Sequence, residues 1–338
     1  MREKAATLKD IAKKLDVSVT TISKALKNHP DISKERREQI LAAVDELNYV
    51  PNAMASNLRM RSTRFVGLIV SNNANPYFAE VVSGIEKVLS KEGYFTLMFN
   101  NGEDAERELK FVNELRSINV AGVIITPACG NSESVEVLRA SKIPFVLLNR
   151  YINKDRDNYV VANDYMSGYQ GTKRLIERGP RPVYYFNLNT SISAARERLA
   201  GYHDALNEAG IDVRKEWIID NIQSPEVAYN AITDLYKKQG REFSVLCYSD
   251  YVALGALKAL NELGISVPDE VAVLGIDGIS VSKYLTNPLT TMYVDKFKLG
   301  AESANLLLAL IENNHEGNQK LPEKHIVIDS KLIIGKTS

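Results

Sequence analysis

Side chains suited to redox, metal or nucleophilic chemistry are scarce in this sequence. Its 338 residues include two cysteines and four histidines. Cys129 and Cys247 each lie inside an apolar stretch, which suits buried free thiols in a reducing cytoplasm better than a disulfide. His29, His203, His315 and His325 fall at no metal-ligand spacing, and neither a glycine-rich phosphate loop nor a nucleophile elbow is present. The chain is therefore read as a non-enzyme that needs no cofactor and no metal. No segment approaches the roughly 18–20 consecutive apolar residues of a membrane span. The charged opening MREKAATLKD leads into no apolar run, so a secretory signal is not expected. Net charge is missing as well: 42 Lys and Arg balance 42 Asp and Glu. That balance speaks against a general polyanion binder.

Charge distribution says more than its sum. Residues 1–61 hold 12 basic and 8 acidic side chains, a net of +4, which leaves 30 and 34, a net of −4, for the rest. A basic head on a mildly acidic body suggests that only the head meets a polyanion. Three helical patterns fill residues 7–48. Thr7 and Asp10 form a capping-box pair ahead of Ile11, Ala12 and Leu15. After a turn at Asp16 and Val17, Ser18 caps a second helix bearing Ile22, Ala25 and Leu26. Beyond His29 and Pro30, Ser33 caps a third with Ile40, Val44 and Leu47 at helical spacing. Residues 51–64 then read as a linker. Pro51 and Asn52 can start a helix of about two turns, which is too short to persist without a partner.

From Phe65 onward, apolar runs alternate with amphipathic helices. Strands are expected at 65–70, 94–99, 121–126, 144–148, 182–186, 243–248 and 271–276, with a last strand in KLIIG. Helices are expected near 77–91, 104–117, 132–140, 164–178, 193–209, 225–238, 250–263 and 296–313. Continuous apolar strands between helices imply parallel sheets covered on both faces, and about 270 residues of this pattern suit two α/β lobes. Ligands in such sheets bind beyond the carboxyl ends of the strands. Those ends are polar here: Ser71, Asn72 and Asn73; Asn100 and Asn101; Thr126; Asn149 and Arg150; Asn187 and Asn189; Ser249 and Asp250; Asp277. Any single one suits a turn or a cap equally well. As a set they suit a ligand rich in hydroxyls, with Tyr77 and Phe78 placed to stack on a ring. Asp277 and Arg198 are the sharpest candidates, since each can make two hydrogen bonds to one ligand. Arg196 reads as a solvated helix residue or a salt-bridge partner. Asp250 and Asp277 might be taken for an acid–base pair, but ligand hydrogen bonding explains them more simply.

The run TLKDIAKKLDVSVTTISKALKNHPDISKERREQILAAVDELNYVPNAMASNL resembles the DNA-binding headpiece of the lactose/galactose repressor family. GLIVSNNANPYFAEVVSGIE, ARERLAGYHDAL, YSDYVALGALKAL, VPDEVAVLGIDG and NPLTTMYVD extend the likeness over essentially the whole chain. The resemblance implies an all-α helix-turn-helix headpiece at 1–50, a hinge helix at 51–64 and a two-lobed core at 65–338 like that of periplasmic sugar-binding proteins. Lobe 1 is expected at 65–161 and 292–324, and lobe 2 at 162–291 and 325–338. It also implies a bacterial, nucleoid-associated regulator, most simply a repressor, whose dimer meets a palindromic operator under the control of a small effector. A sugar is the expected effector. A purine or nucleoside is the alternative, and a solute-binding protein without a regulatory role is a further one. No leucine-repeat tail follows the last strand, so a dimer is expected rather than a tetramer.

Carried onto this chain, the second helix enters the major groove with Val19, Thr20 and Lys24 over base edges. Thr7, Ser18, Ser23, Lys27 and Ser33 are placed for phosphates, and Thr7, Ser18 and Ser33 suit a role as caps alone equally well. Asn52, Ala55 and Leu58 carry the hinge, with Leu58 as a minor-groove wedge. Effector contacts are implied for Asn75, Tyr77, Phe78, Asn149, Arg150, Arg198, Gln223, Asp250 and Asp277. Three departures stand out. Asp16 occupies a turn position usually given to Gly, Lys24 replaces Arg, and RGPRPVYYF departs from the usual Gly-His sequence.

Overall fold

The computed structural model describes residues 6–26, 28–47, 49, 63–129, 132–179, 181–315 and 322–338. Lys27, Asn52, Ala55 and Leu58, and with them the expected hinge helix, lie outside the described residues. The chain divides into two compact units, 1–63 and 64–338.

The first unit carries α1 (Leu8–Leu15), α2 (Val19–Leu26) and α3 (Lys34–Glu46). Their starts follow the local chemistry of the sequence. Thr7 Oγ1 accepts from the Asp10 amide at 3.4 Å while the Thr7 amide donates to the Asp10 carboxylate at 2.8 Å. Ser18 Oγ accepts from the Thr21 amide at 3.0 Å, and Ser33 Oγ from the Arg36 amide at 3.2 Å. Asp16 ends α1 in the left-handed region, with φ 51° and ψ 50°, a conformation that Asp tolerates better than most residues. Ile11, Ile22 and Ile40, with Ala12, Ala25 and Ala43, form the core. Six buried side chains make a thin core, so the caps carry a large share of its definition, each worth on the order of 1 kcal/mol.

The second unit holds two six-stranded sheets. In the first, β1 (Phe65–Val70), β2 (Phe95–Asn100), β3 (Gly122–Ile125), β4 (Phe145–Leu148), β5 (Tyr159–Ala162) and β11 (His325–Ile328) are all parallel, in the order β11-β5-β4-β3-β1-β2. In the second, the order is β12-β10-β9-β8-β6-β7, built from β6 (Val183–Phe186), β7 (Ile218–Ile219), β8 (Phe243–Cys247), β9 (Val271–Asp277), β10 (Thr290–Val294) and β12 (Ser330–Ile333). Only β12 runs antiparallel, on β10. Helices α4 (Pro76–Lys91), α5 (Ala105–Ser117), α6 (Glu133–Ser141) and α11 (Lys296–His315) serve the first lobe, and α7 (Asp164–Ile176), α8 (Ser193–Glu208), α9 (Pro225–Gln239) and α10 (Asp250–Glu262) the second.

The chain thus passes between lobes after β5, after β10 and after β11. This moves two expected boundaries. Residues 292–294 belong to lobe 2, because β10 pairs with β9, and residues 325–328 belong to lobe 1, because β11 pairs with β5. The physical reason is that a crossover falls where a strand ends, and β10, with its paired threonines, does not read as an apolar run. Three helix pairs approach through glycine: α4 with α11, α7 with α8, and α9 with α10. A Cβ on Gly84 would lie 2.1 Å from the Phe297 carbonyl of α11, and one on Gly168 of α7 would lie 2.0 Å from the Arg198 carbonyl of α8. The second contact fixes the backbone that presents Arg198 to the cleft.

Candidate functional site

The carboxyl ends of both sheets open onto one cavity of about 120 Å³, small beside the roughly 300–1,000 Å³ of typical ligand pockets. From lobe 1, Asn75 caps α4 by accepting from the Tyr77 amide at 3.0 Å. Pro76 follows as a first-turn residue, so Tyr77 and Phe78 enter the wall edge to face, with centroids 5.3 Å apart. Tyr77 Oη donates to Asn149 Oδ1 at 2.8 Å, and Asn149 holds a left-handed φ of 64° at the end of β4. Arg150 is gripped on both prongs by Glu103, at 2.9 and 2.8 Å, and Nη1 also donates to the Pro127 carbonyl at 2.8 Å. Burial would raise the Glu103 carboxyl, but the charge and hydrogen bonds of Arg150, with the Cys129 amide, outweigh it and hold the group below its ordinary value.

Lobe 2 supplies the charged floor. Arg198 donates from Nε to Asp164 at 2.7 Å and from Nη2 to Asp277 at 3.4 Å, while Nη1 donates to the Tyr248 carbonyl. Its guanidinium lies 4.6 Å from the centroid of the Tyr248 ring. Burial lifts the Asp277 carboxyl to about 6, with Arg198 and Lys296 opposing and Asp164 adding to the rise. Lys296, fully buried, donates to the carbonyls of Asp277 (2.9 Å), Gly278 (2.7 Å) and Val294 (3.1 Å), which fixes the backbone beneath that carboxylate. Among the described residues, Asn75 Nδ2, Asn149 Nδ2 and Asp277 Oδ2 make no hydrogen bond and remain for a ligand.

Eight of the nine expected effector residues line this cavity: Asn75, Tyr77, Phe78, Asn149, Arg150, Arg198, Gln223 and Asp277. Asp250 does not. Its Oδ1 accepts from Thr291 Oγ1 at 2.5 Å and its Oδ2 from the Ile279 amide at 2.9 Å, so the carboxyl is a buried tie between α10 and the β9–β10 region. Gly275 leaves room for it, since a Cβ there would sit 2.2 Å from Asp250 Oδ1. Burial first, then the neighbouring Asp277, lifts the group to about 8. Of the other polar strand ends, Ser71, Asn72 and Ser249 line the cavity. Asn101 is spent on Glu108 and Thr126, and Asn187 on Asp220. Glu103, Asp164, Tyr248 and Tyr251 line it as well and were missed. Each looks ordinary in sequence, as a loop acid, a helix first-turn acid and two residues around a strand end. Arg196 is exposed, as expected.

In the head, Thr20 is exposed on α2, while Val19, Ser23 and Lys24 are half-buried. Thr7, Ser18 and Ser33 all carry the capping bonds described above. Lys24 Nζ lies 2.7 Å from Asp31 Oδ2.

A helix-turn-helix unit joined to a two-lobed body with a polar cleft defines a DNA-binding regulator with a small-molecule domain. The comparisons agree. Residues 7–52 match the model "Bacterial regulatory proteins, lacI family", and residues 63–330 match "Periplasmic binding proteins and sugar binding domain of LacI family". The chain belongs to the LacI family. It is 33% identical to the ribose operon repressor of Haemophilus influenzae, over 94% of this chain and 95% of that one. It is 31% identical to the HTH-type transcriptional repressor PurR of Actinobacillus pleuropneumoniae, over 91% of each. Among solved structures, a transcriptional regulator CelR–cellobiose complex superposes with a TM-score of 0.75 at 26% identity, covering 98% of this chain and all of that one.

Proposed function

We propose that this regulator is a repressor that binds a near-palindromic operator as a dimer and answers to a neutral, monosaccharide-sized sugar. The observation that carries the effector class is the charge pairing in the cleft. Arg150 is matched by Glu103, and Arg198 is shared by Asp164 and Asp277. No guanidinium is left over for a phosphate, while amides and a carboxylate oxygen remain for hydroxyls. Relatives named for ribose and cellobiose point the same way. Asn75, Tyr77, Phe78, Asn149, Arg150, Arg198, Gln223 and Asp277 are the proposed contacts, and Asp250 acts from behind them.

The head reads base edges with Val19, Thr20 and Lys24 and meets phosphates with Thr7, Ser18, Ser23, Lys27 and Ser33. Asn52, Ala55 and Leu58 are the proposed minor-groove contacts. An effector that prefers one lobe arrangement needs a coupling of only about 1–3 kcal/mol to change operator affinity roughly 5–150-fold. Among the described residues no helix is long and apolar enough to cross a membrane.

Isothermal titration with D-ribose, D-xylose, D-glucose, D-galactose, ribose 5-phosphate, hypoxanthine and adenosine tests the effector class. A neutral sugar should bind, and Arg198→Ala and Asp277→Ala should each abolish the heat. Preference for ribose 5-phosphate would overturn the neutral reading. Preference for hypoxanthine or adenosine would favour the second reading, which rests on the aromatic wall of Tyr77, Phe78, Tyr248 and Tyr251 and on the PurR relative.

A further inference from the structure

Lys24 is the cation that α2 carries, and in the free head it is engaged. Its Nζ sits 2.7 Å from Asp31 Oδ2, in a pair whose side chains are 42% and 57% exposed. The turn that presents Asp31 is well fixed. The His29 amide donates to the Lys24 carbonyl at 3.0 Å and the Ile32 amide to the His29 carbonyl at 3.2 Å. Arg37 Nη2 donates to the His29 carbonyl at 3.1 Å, and Ser33 begins α3 directly after. Pro30 restricts the backbone between them. Among the described residues the other charged or titratable neighbour of Asp31 is His29, whose Nδ1 lies 3.3 Å from the same carboxylate oxygen. The hydrogen bond from Lys24 and the charges of His29 and Lys24 hold the Asp31 carboxyl below its ordinary value, so it stays ionised.

We infer that Asp31 is an autoinhibitory contact on DNA binding: it occupies Lys24 in the free protein, and a duplex engages this lysine only by displacing a fixed carboxylate. The inference rests on the placement of α2 against DNA proposed above. The physics is an exchange. A solvated ion pair is weak, so an acceptor that replaces both its hydrogen bond and its charge displaces Asp31 readily. A phosphate does this, while a neutral base edge such as guanine O6/N7 replaces the hydrogen bond but not the charge. In either case the displaced carboxylate stays nearby and repels the backbone in an interface less polar than water. Asp31 therefore lowers the affinity of each contact that Lys24 makes with DNA.

The test uses full-length protein and a random-sequence 24-base-pair duplex, followed by fluorescence anisotropy across a salt series. Asp31→Asn should tighten this non-specific binding by about 3–10-fold and steepen the salt dependence by about 0.9 in log–log slope, one more phosphate contact. In a Lys24→Gln background the same change should alter affinity less than about two-fold, as a double-mutant cycle for a direct pair requires. Asp31→Ser, which keeps a turn-forming residue, should behave as Asp31→Asn does. Equal tightening with and without Lys24 would overturn the inference, because Asp31 would then act only as diffuse negative charge. No tightening in either background would overturn it too, since the pair would be idle. Failure of the wild-type protein to bind the duplex even at low salt is a distinguishable result: it would remove the DNA-reading assignment of α2 and this inference with it.

Discussion

The two lobes meet the same cavity with an arginine each, and they hold that arginine differently. In lobe 1, Arg150 faces one carboxylate, Glu103, which is a third exposed, and a backbone carbonyl. In lobe 2, Arg198 stands between two carboxylates, Asp164 and Asp277, with all three side chains at 6–7% exposure. The first arrangement is a closed pair that positions a wall. The second is an incompletely neutralised cluster in a dry place, and such a cluster keeps an unmet demand for hydrogen-bond donors. Ligand hydroxyls supply donors. The difference assigns the charged chemistry to lobe 2 and leaves lobe 1 with shape and the neutral amides of Asn75 and Asn149.

Removing each arginine tests that contrast most severely. Arg198→Met strands two buried carboxylates and also loses packing over Tyr248, so lobe 2 should lose roughly 3–5 kcal/mol, the range for a broken buried pair. Arg150→Met strands one partly exposed carboxylate and should cost about half as much. Urea unfolding near pH 7.5, followed through Trp217 in lobe 2 for the first variant and by circular dichroism for both, measures the two losses. Equal losses would show that the clusters are equivalent and that the division of labour is wrong.

The same contrast reverses sign with pH. Folding raises the carboxyls of Asp277, to about 6, and Asp250, to about 8, above the ordinary 3.8 of Asp, with burial as the main cause in both. The folded state then binds protons more tightly than the unfolded one, so these groups favour folding at low pH. That contribution is lost as pH rises between about 4 and 8. Glu103 is lowered, so its contribution is present above its ordinary pKa and lost as pH falls through the folded value. Asp250→Asn should therefore flatten a decline in the urea midpoint between pH 6 and 9, by an amount on the order of a few kcal/mol across the window. Glu103→Gln should matter more at pH 7 than at pH 3.5. Sugar affinity should also fall as Asp277 takes up its proton below about pH 6, by up to tenfold per pH unit if the ligand requires the carboxylate.

The residues that sequence reasoning found, and those it missed, divide along a physical line. Periodicity places strands and helices wherever burial is one-sided and continuous, so β1, β3, β8 and β9 fall within a residue or so of their observed ends. The two-residue β7 is too short to read and β10 carries two threonines inside its sheet, while β5 (YVVA) and β11 (HIVI) hold short apolar runs that the expected strands leave out. Strand ends are legible, which is why Arg150 and Asp277 were found; Arg198 lies within α8 and stood out for its guanidinium. Partners are less so. Glu103 and Asp164 function by reaching an arginine 47 and 34 positions away, and nothing local marks a first-turn acid as one that turns inward. Asp250 shows the converse error. Its strand-end position is right, but a helix first-turn side chain can point to the cavity or beneath it, and the missing Cβ of Gly275 lets it go beneath.

The smallest expected effect is also the most discriminating. Tyr77 Oη donates to Asn149 Oδ1 at 2.8 Å, both in lobe 1, and removal of a neutral hydrogen bond costs about 0.5–1.5 kcal/mol. In Tyr77→Phe the ring and its edge-to-face contact with Phe78 persist, so the wall keeps its shape while Asn149 Oδ1 becomes an open acceptor at the cavity. If lobe 1 supplies shape alone, the variant should bind the same sugar within a few-fold, with its unfolding midpoint only slightly reduced. If lobe 1 also sorts ligands by their hydroxyls, the freed acceptor should favour a sugar bearing a donor at that point. The ranking of D-ribose, D-xylose, D-glucose and D-galactose would then change although overall affinity does not. Calorimetry of the four sugars against both proteins decides between these outcomes. A changed ranking would move part of the chemistry to lobe 1.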